Sequence, residues 1–325
     1  MVSGSYTVSS KEIRMGQNNV LYSNCKALHG NFIPNSIKYV NGIEYENLNG
    51  FMFNMNHVDE VLNKYNVNIP KSIYQTHKTQ KYINENKKLI DATNSWKKHK
   101  DFNYYFYDDN EQNDFIKEYY PQIFDAYDKL PLPVMKADLW RYCIIHKFGG
   151  IYSDVDAICN TDPNIFINDS LLVCAPEHNF HMCQWTFSAP KDSPILNEII
   201  NLSAHRIRSV KNFTGCNLIH YLTGPGVFTD GIEQWLFTNH FPIVNGSAIY
   251  PTNRRICGGD IVRNHNTVMP KNNNYIFKAT FGKQLYENFL PKIIKVLGYN
   301  IFHDKYIRHL FSGQWADGWC AQSYK

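Results

Sequence analysis

Eight cysteines are present, at positions 25, 143, 159, 174, 183, 216, 257 and 320, and no two of them form a C-x-x-C pair. That lack argues against a zinc ribbon or a thioredoxin-type redox site. Long apolar runs are missing as well. Stretches such as Leu171 to Pro176 stop far short of the ~20 residues a membrane-spanning helix needs. Met1 to Gly16 is polar and lacks the basic-then-apolar order of a secretory signal peptide. The expectation is therefore a soluble, cytoplasmic chain with no transmembrane segment and with reduced thiols. Excess charge of one sign is scarce too: 33 Lys and Arg against 29 Asp and Glu leave a formal net charge of +4. A nucleic-acid partner normally shows as a concentrated basic face, so none is expected. One stretch is locally basic, with Lys71, Lys78, Lys81, Lys87, Lys88, Lys97, Lys98 and Lys100, and it reads as a solvated helix face. Four N-x-S/T sequons begin at Asn168, Asn201, Asn212 and Asn245; they matter only in a secretory lumen.

What is present is ordinary globular material. Of 325 residues, 43% are hydrophobic and 19% charged, enough to bury a substantial core without staples. Aromatics reach 15%, a weak lean toward sugar or nucleobase surfaces. Residues 1–68 read as an N-terminal extension. In it, Ile37–Val40 and Ile43–Glu46 flank Asn41–Gly42, a two-residue hairpin signal, and His57 to Tyr65 suggests a short helix. From Ile69 to residue 325 strand and helix patterns alternate. Ile69 to Gln75 reads as a strand, followed by a Lys-rich helix to about Lys98. Tyr104 to Tyr107 is an aromatic strand, and Asp108–Asp109–Asn110 can cap the next helix. Val134 to Lys147 has the spacing of an amphipathic helix. Gly149–Gly150 ends it, and Ile151 to Val155 reads as a strand. Leu171–Ala175 and Trp185–Ala189 suggest further strands, and Pro194–Arg206 and Gly226–Phe237 further helices. This order predicts an α/β fold with helices on both faces of the sheet and a ligand at the carboxyl ends of its strands.

Asp154–Val155–Asp156 is the single Asp-x-Asp of the chain, and alone it carries little information. Its context carries more: a helix, a Gly-Gly stop, a short strand, then two carboxylates. At i and i+2 of a strand the pair points one way and can converge on a hard cation. Carboxylates without matching Cys or His partners suit Mg²⁺ or Mn²⁺ with positions left for phosphate oxygens. Asp138 and Arg141, three apart on the preceding helix, share a face. In isolation such a pair is an ordinary surface ion pair.

Ala137-Asp138-Leu139-Trp140-Arg141-Tyr142 followed by Gly149-Gly150-Ile151-Tyr152-Ser153-Asp154-Val155-Asp156 strongly resembles the DXD-containing sugar-binding glycosyltransferases of family 32. It is more distantly similar to the clostridial glucosylating toxins. Ile69 to Lys78 resembles the family's opening strand, and Tyr104 to Asp109 its second strand. Gln184-Trp185-Thr186, with Pro190 and Ser193-Pro194, resembles a segment of the fungal initiating α-1,6-mannosyltransferases. Thr223-Gly224-Pro225 matches the later T-G-P, and His309 and Trp315 keep the family's H-x5-W spacing. The resemblance covers about residues 69–316. Tyr74 and His77 stand where the family usually has His and Trp, and Gln314 replaces a common Ser.

That resemblance implies a GT-A type, Rossmann-like fold with a mixed, mostly parallel sheet. It implies transfer of a sugar from a nucleoside diphosphate to an acceptor hydroxyl, with retention of configuration and with Mn²⁺ or Mg²⁺. Asp154, Asp156 and His309 would hold the metal, with Asp154 also near the ribose. Asp138 and Arg141 would grip donor hydroxyls, Tyr152 would lie beside the donor, Trp315 would contact the diphosphate, and Gln75 and Thr76 would border the nucleotide. Asp230, just after the T-G-P turn, is a candidate acceptor-side carboxylate. The donor reads as GDP-mannose or a UDP-sugar, and the acceptor as a glycan, protein or lipid. The lack of an anchor fits a viral or bacterial source. Two other classes compete. Residues 151–156 loosely resemble the nucleophile strand of haloacid-dehalogenase-like phosphohydrolases, but Ala157 stands where Thr or Val is expected. A non-catalytic sugar-binding relative is the third, against which the retained acids and Arg141 argue.

Overall fold

The computed structural model describes residues 10–15, 20–26, 32–38, 45–48, 51–54, 57–175, 182–213, 218–239, 244–245, 248–249, 290–297 and 306–310. Two compact units make up the chain. One comprises Met1–Lys64, Leu236–Arg254 and Pro270–Ile293, the other Tyr65–Trp235, Arg255–Met269 and Ile294–Lys325.

The first unit holds an antiparallel sheet of β1 (Ser10–Met15), β2 (Val20–Lys26) and β3 (Phe32–Lys38). β4 (Tyr45–Leu48) and β5 (Phe51–Asn54) form a separate antiparallel pair, and α1 (His57–Leu62) buries Val58 and Val61. The expected turn at Asn41–Gly42 lies outside the described residues, and the strands beside it pair elsewhere. β3 pairs with β2 along its length, from Phe32 opposite Lys26 to Lys38 opposite Val20. β4 faces β5 with Leu48 opposite Phe51. A second Asn-Gly dipeptide, Asn49–Gly50, separates these two strands in sequence.

In the second unit the chain runs β6 (Ser72–Thr76), α2 (Gln80–Asn84), α3 (Lys87–Lys97), β7 (Asn103–Tyr107), α4 (Asp109–Tyr119), α5 (Phe124–Asp128), α6 (Pro133–Phe148) and β8 (Gly150–Ser153). It continues through β9 (Ala157–Cys159), β10 (Leu172–Cys174), β11 (Thr186–Ala189), α7 (Pro194–Ser209), α8 (Leu218–Leu222) and α9 (Pro225–Thr238). The two-residue strands β12 (Val244–Asn245) and β13 (Ala248–Ile249) come next in sequence and belong to the first unit, and β14 (Ile294–Val296) and β15 (Ile307–His309) belong to the second. Six strands form one sheet in the order β14-β10-β11-β8-β6-β7. β6 runs parallel to β7 and β8, and β10 parallel to β14; only the pairings of β11 are antiparallel. The fold is thus α/β with a mixed, mostly parallel sheet.

Alternation along the strands divides two cores. On one face Ile73 and Ile151, paired in register, meet Trp96 of α3 together with Phe102, Trp185 and Ile307. On the other face Tyr74, Tyr152 and Phe187 lie beneath α6. There Trp140 approaches Tyr152 at 6.4 Å between ring centroids and Tyr142 approaches Phe187 at 6.1 Å. Each such buried aromatic contributes roughly 1.5–3 kcal/mol. Helices therefore cover both faces.

Local chemistry explains most of the element ends. Asp108 caps α4 in a reciprocal box with Glu111. The Lys-rich helix is two helices, because Asn86 accepts from the backbone of Lys88 and Leu89 and starts α3 anew. Its lysines are largely spoken for: Lys71 pairs with Asp101, Lys81 with Glu85 and Lys87 with Asp91, and Lys97 lies over the Tyr104 ring. The solvated-face reading holds. Gly149 and Gly150 have φ of +71° and +118°, and a Cβ on Gly150 would stand 2.6 Å from the Ser72 carbonyl oxygen. Glycine alone lets α6 pass into β8 without a spacer. The expected amphipathic character of α6 is absent: residues 138 to 145 are all buried. α6 lies between the sheet and the neighbouring helices α4 and α7, so every side of it meets protein. Cys143, Cys159 and Cys174 are free thiols, buried like Cys183. Among the described residues, no helix is long and apolar enough to cross a membrane.

Candidate active site

The parallel strands β6, β7 and β8 end together, and the chemistry-bearing residues cluster beyond those ends. β8 stops at Ser153, one residue before the acid pair. The expected strand through Val155 is therefore too long, and Asp154 and Asp156 do not alternate along a strand. They sit on a tight turn, closed by the Ala157 amide donating to the Asp154 carbonyl at 3.1 Å. The Asp154 amide donates to the Trp185 carbonyl at 2.9 Å, which anchors the turn to the segment entering β11.

Convergence of the acids comes from a distant strand. β15 pairs antiparallel with β9, with His309 opposite Ala157, and the Leu310 amide donates to the Asp156 carbonyl at 2.9 Å. His309 Nε2 then lies 3.2 Å from Asp156 Oδ1 and 3.5 Å from Asp154 Oδ2. The Trp185 ring backs the imidazole at 4.7 Å between centroids. One donor atom from each of these three residues fits within 4.8 Å of the others. Two carboxylate oxygens and one imidazole nitrogen, partly open to solvent, suit Mn²⁺ or Mg²⁺ with positions left for ligand oxygens.

The other oxygen of Asp154 is taken by protein. Tyr152 donates its hydroxyl to Asp154 Oδ1 at 2.5 Å, and Arg141 Nη2 lies 3.3 Å from the same atom. Burial pushes the Asp154 carboxyl up, but the Arg141 charge, His309 and the Tyr152 hydroxyl outweigh it and hold the group below its usual range. Arg141 Nη2 also meets Asp138 Oδ1 at 2.8 Å, and the guanidinium lies 4.6 Å above the Tyr152 ring. Asp138 is 2% exposed. Its Oδ1 accepts from Gln184 at 3.1 Å and its Oδ2 from the Thr223 hydroxyl at 3.1 Å. Burial pushes the Asp138 carboxyl up to about 6, against the pull of Arg141, Gln184 and Thr223.

Asp138, Arg141, Tyr152, Asp154, Asp156 and His309 are thus gathered into one constellation. Gln75 is tied to it differently from the expected nucleotide edge. It is fully buried, its amide donates to the Asp154 carbonyl at 3.0 Å, and it accepts from the Tyr104 hydroxyl at 2.8 Å. Thr76 donates to the Tyr107 carbonyl at 2.7 Å and accepts from Gln112 at 2.6 Å. Asp230 on α9 has its carboxylate 3.0 Å from Arg206 of α7. Trp315 lies outside the described residues.

Three participants carried no individual role in the sequence reading. Gln184 and Thr223 close the Asp138–Arg141 network, and both lie in the segments that carry the family resemblance. His77 follows β6 directly and stacks on Tyr82 at 4.7 Å. Burial lowers its imidazole, against the raising influence of Asp109, Asp156 and Asp154. Nothing in spacing signals Gln184 and Thr223, since both make their contacts with a helix more than forty residues earlier in the chain.

Residues 84–172 match the family described as "Glycosyltransferase sugar-binding region containing DXD motif". Over this stretch the chain is similar to the glycosyltransferases of that family. Over 292 residues it is 24% identical to the initiation-specific alpha-1,6-mannosyltransferase of Candida albicans, covering 76% of this chain and 72% of that protein. Over 105 residues it is 37% identical to inositol phosphoceramide mannosyltransferase 3 of Schizosaccharomyces pombe, covering 31% of this chain and 28% of that one. A solved structure, the PaToxG glycosyltransferase, aligns at a TM-score of 0.41 and 16% identity over 55% of this chain and 76% of its own. So slight a likeness carries no argument about the fold. The matched region contains α6, the Gly-Gly stop and the acid turn.

Proposed function

We propose that this glycosyltransferase moves a hexosyl group, mannose in the first instance and glucose or a related sugar otherwise, from a nucleoside diphosphate to an acceptor hydroxyl. The transfer is divalent-metal-dependent and retains anomeric configuration in a GT-A frame. The observation that carries the reading is the meeting of Asp154, Asp156 and His309 beyond the carboxyl ends of β6, β7 and β8. In an open α/β sheet that is where a nucleotide ligand binds. Mannose leads among donors because the named relatives quoted above are mannosyltransferases. Their names also point to a glycan or lipid acceptor.

Asp156, His309 and Asp154 Oδ2 would hold Mn²⁺ or Mg²⁺, which supplies positive charge to the diphosphate as it leaves. The chain's own residues do the rest. Tyr152 and Arg141 hold Asp154 by its other oxygen, so that the acid is oriented before the donor arrives. Arg141 and Asp138 form the wall against which the donor sugar is placed. Trp315 is assigned to the diphosphate and Asp230 to the acceptor side. Fixed charges and positioning supply the rate enhancement, and the acceptor proton passes to the leaving phosphate.

The experiment is donor hydrolysis without an acceptor. GDP-mannose and a panel of UDP-sugars are incubated with the protein and Mn²⁺, with EDTA, and with Asp156→Asn. Release of one nucleoside diphosphate that stops with EDTA and in the variant is expected. No hydrolysis and no metal-dependent donor binding would sink the reading, and phosphate release from a generic phosphomonoester would favour a phosphohydrolase.

A further inference from the structure

Gln184 sits 8% exposed ahead of β11, with its whole side-chain amide directed into the pair behind the acid turn. Its Nε2 donates to Asp138 Oδ1 at 3.1 Å. Its Oε1 accepts from Arg141 Nη1 and, at 3.3 Å, from the Tyr142 hydroxyl. Its backbone carbonyl accepts from the same Arg141 Nη1 at 3.2 Å. One face of the guanidinium is backed by the Tyr152 ring. Arg141 Nη1 is therefore committed to Gln184, and Nη2 is left to bridge Asp138 Oδ1 and Asp154 Oδ1. Arg141 Nε is buried without a partner. The guanidinium thus gives up a possible hydrogen bond to keep this orientation, and Gln184 is the group that fixes it.

The consequence falls on Asp154. Its Oδ1 is occupied by Arg141 and Tyr152, so the carboxylate is rotated with Oδ2 toward His309 and Asp156. A guanidinium free to swing on its χ angles would hold both carboxylates only part of the time. We propose that Gln184 is a positioning residue for the reaction: by locking Arg141 it orients Asp154 Oδ2 for the divalent cation. This role rests on the glycosyltransferase reading above and adds to it a residue that touches neither cation nor donor. Removal of groups that orient a metal-binding carboxylate commonly costs about 10–100-fold in metal affinity or activity.

The test uses the full chain with Gln184→Met, close in length but without the amide, and Gln184→Glu, which keeps the acceptor oxygen and loses the donor to Asp138. A Glu at this position also offers Arg141 a competing charge. Three readouts are taken: thermal unfolding, Mn²⁺ binding without nucleotide by EPR of the free ion, and kcat and KM for hydrolysis of the donor that the wild type cleaves. The expected result is folded variants, about tenfold or greater weakening of Mn²⁺ binding, and a loss expressed in kcat more than in KM. Gln184→Glu should be at least as impaired as Gln184→Met. A folded Gln184→Met with wild-type Mn²⁺ affinity and wild-type kcat overturns the role. Loss of fold in both variants also overturns it, by assigning Gln184 to folding alone. A wild-type protein that neither binds Mn²⁺ nor hydrolyses any donor is a separate result: it sinks the glycosyltransferase activity first, and the role of Gln184 with it.

Discussion

On α6, Asp138 and Arg141 stand three residues apart and meet at 2.8 Å, with side chains 2% and 5% exposed. On α3, Lys87 and Asp91 stand four apart and meet at 2.9 Å, with side chains 85% and 57% exposed. Spacing and separation are nearly the same, and both pairs satisfy the rule for neighbours on a helix. Their physics differs because water screens one and is excluded from the other. The α3 pair gains little, since solvent offers each ion nearly as good a partner. The α6 pair has lost its hydration and depends on Gln184, Thr223, Tyr152 and Asp154 to replace it. Desolvation is what turns a helical ion pair into part of a site.

Breaking the buried pair should give the largest effect. Arg141→Met leaves Asp138 and Asp154 without their counter-charge, and a loss of about 3–5 kcal/mol is expected in urea unfolding, together with loss of donor hydrolysis. A variant as stable as wild type would place α6 and α3 in the same class and erase the comparison. Replacing both members, Asp138→Leu with Arg141→Met, sharpens it. The double variant should recover part of the stability lost by the single one, because Asp138 is then no longer a buried charge and only Asp154, still held by Tyr152 and His309, lacks the guanidinium, and it should stay inactive. Stability lower than in the single variant would mean that the pair is net stabilising.

Smaller effects come from buried groups that lack an opposite charge in contact. Burial lowers the imidazoles of both His77 and His146; the charges of Asp109, Asp156 and Asp154 oppose this at His77, and that of Asp192 at His146. Between those lowered values and the ordinary value near 6.5 the unfolded chain binds more protons than the folded one. Stability should therefore rise with pH through this window and fall as pH drops below about 6.5. Urea midpoints at pH 7.5 and 5.5 check this, the lower pH giving the lower midpoint. His146→Gln should flatten part of the slope. The smallest effect belongs to α3: Lys87→Ala should cost about 0.3–0.5 kcal/mol at low salt and less at high salt. A larger, salt-independent loss would show that the exposed pair is not exposed in effect.

Much of this was legible along the chain. The order of β6, β7 and β8, the capping box at Asp108, the stop at Gly149–Gly150 and the acid pair all follow from local chemistry, and local chemistry is written in short runs of sequence. The misreadings share one cause. α6 was expected to have a polar face, yet it is enclosed on all sides. The strand after it was expected to run through Val155, yet it ends at Ser153. In both cases the deciding contact lies with elements distant in sequence, and periodicity carries no record of it.

The sequence by itself determined which atoms are available: two acids after a glycine stop, an Asp–Arg pair on the helix before them, and a histidine much later. It also determined the local turns that deliver them, because capping, glycine geometry and alternation act over a few residues. The tertiary structure decided what those atoms are for. β15 brings His309 onto the acid turn, and the approach to β11 brings Gln184 onto Arg141. Burial then removes the water that would otherwise have made Asp138 and Arg141 an ordinary surface pair. Charge interactions depend on distance and on surrounding dielectric, and both are properties of the folded chain.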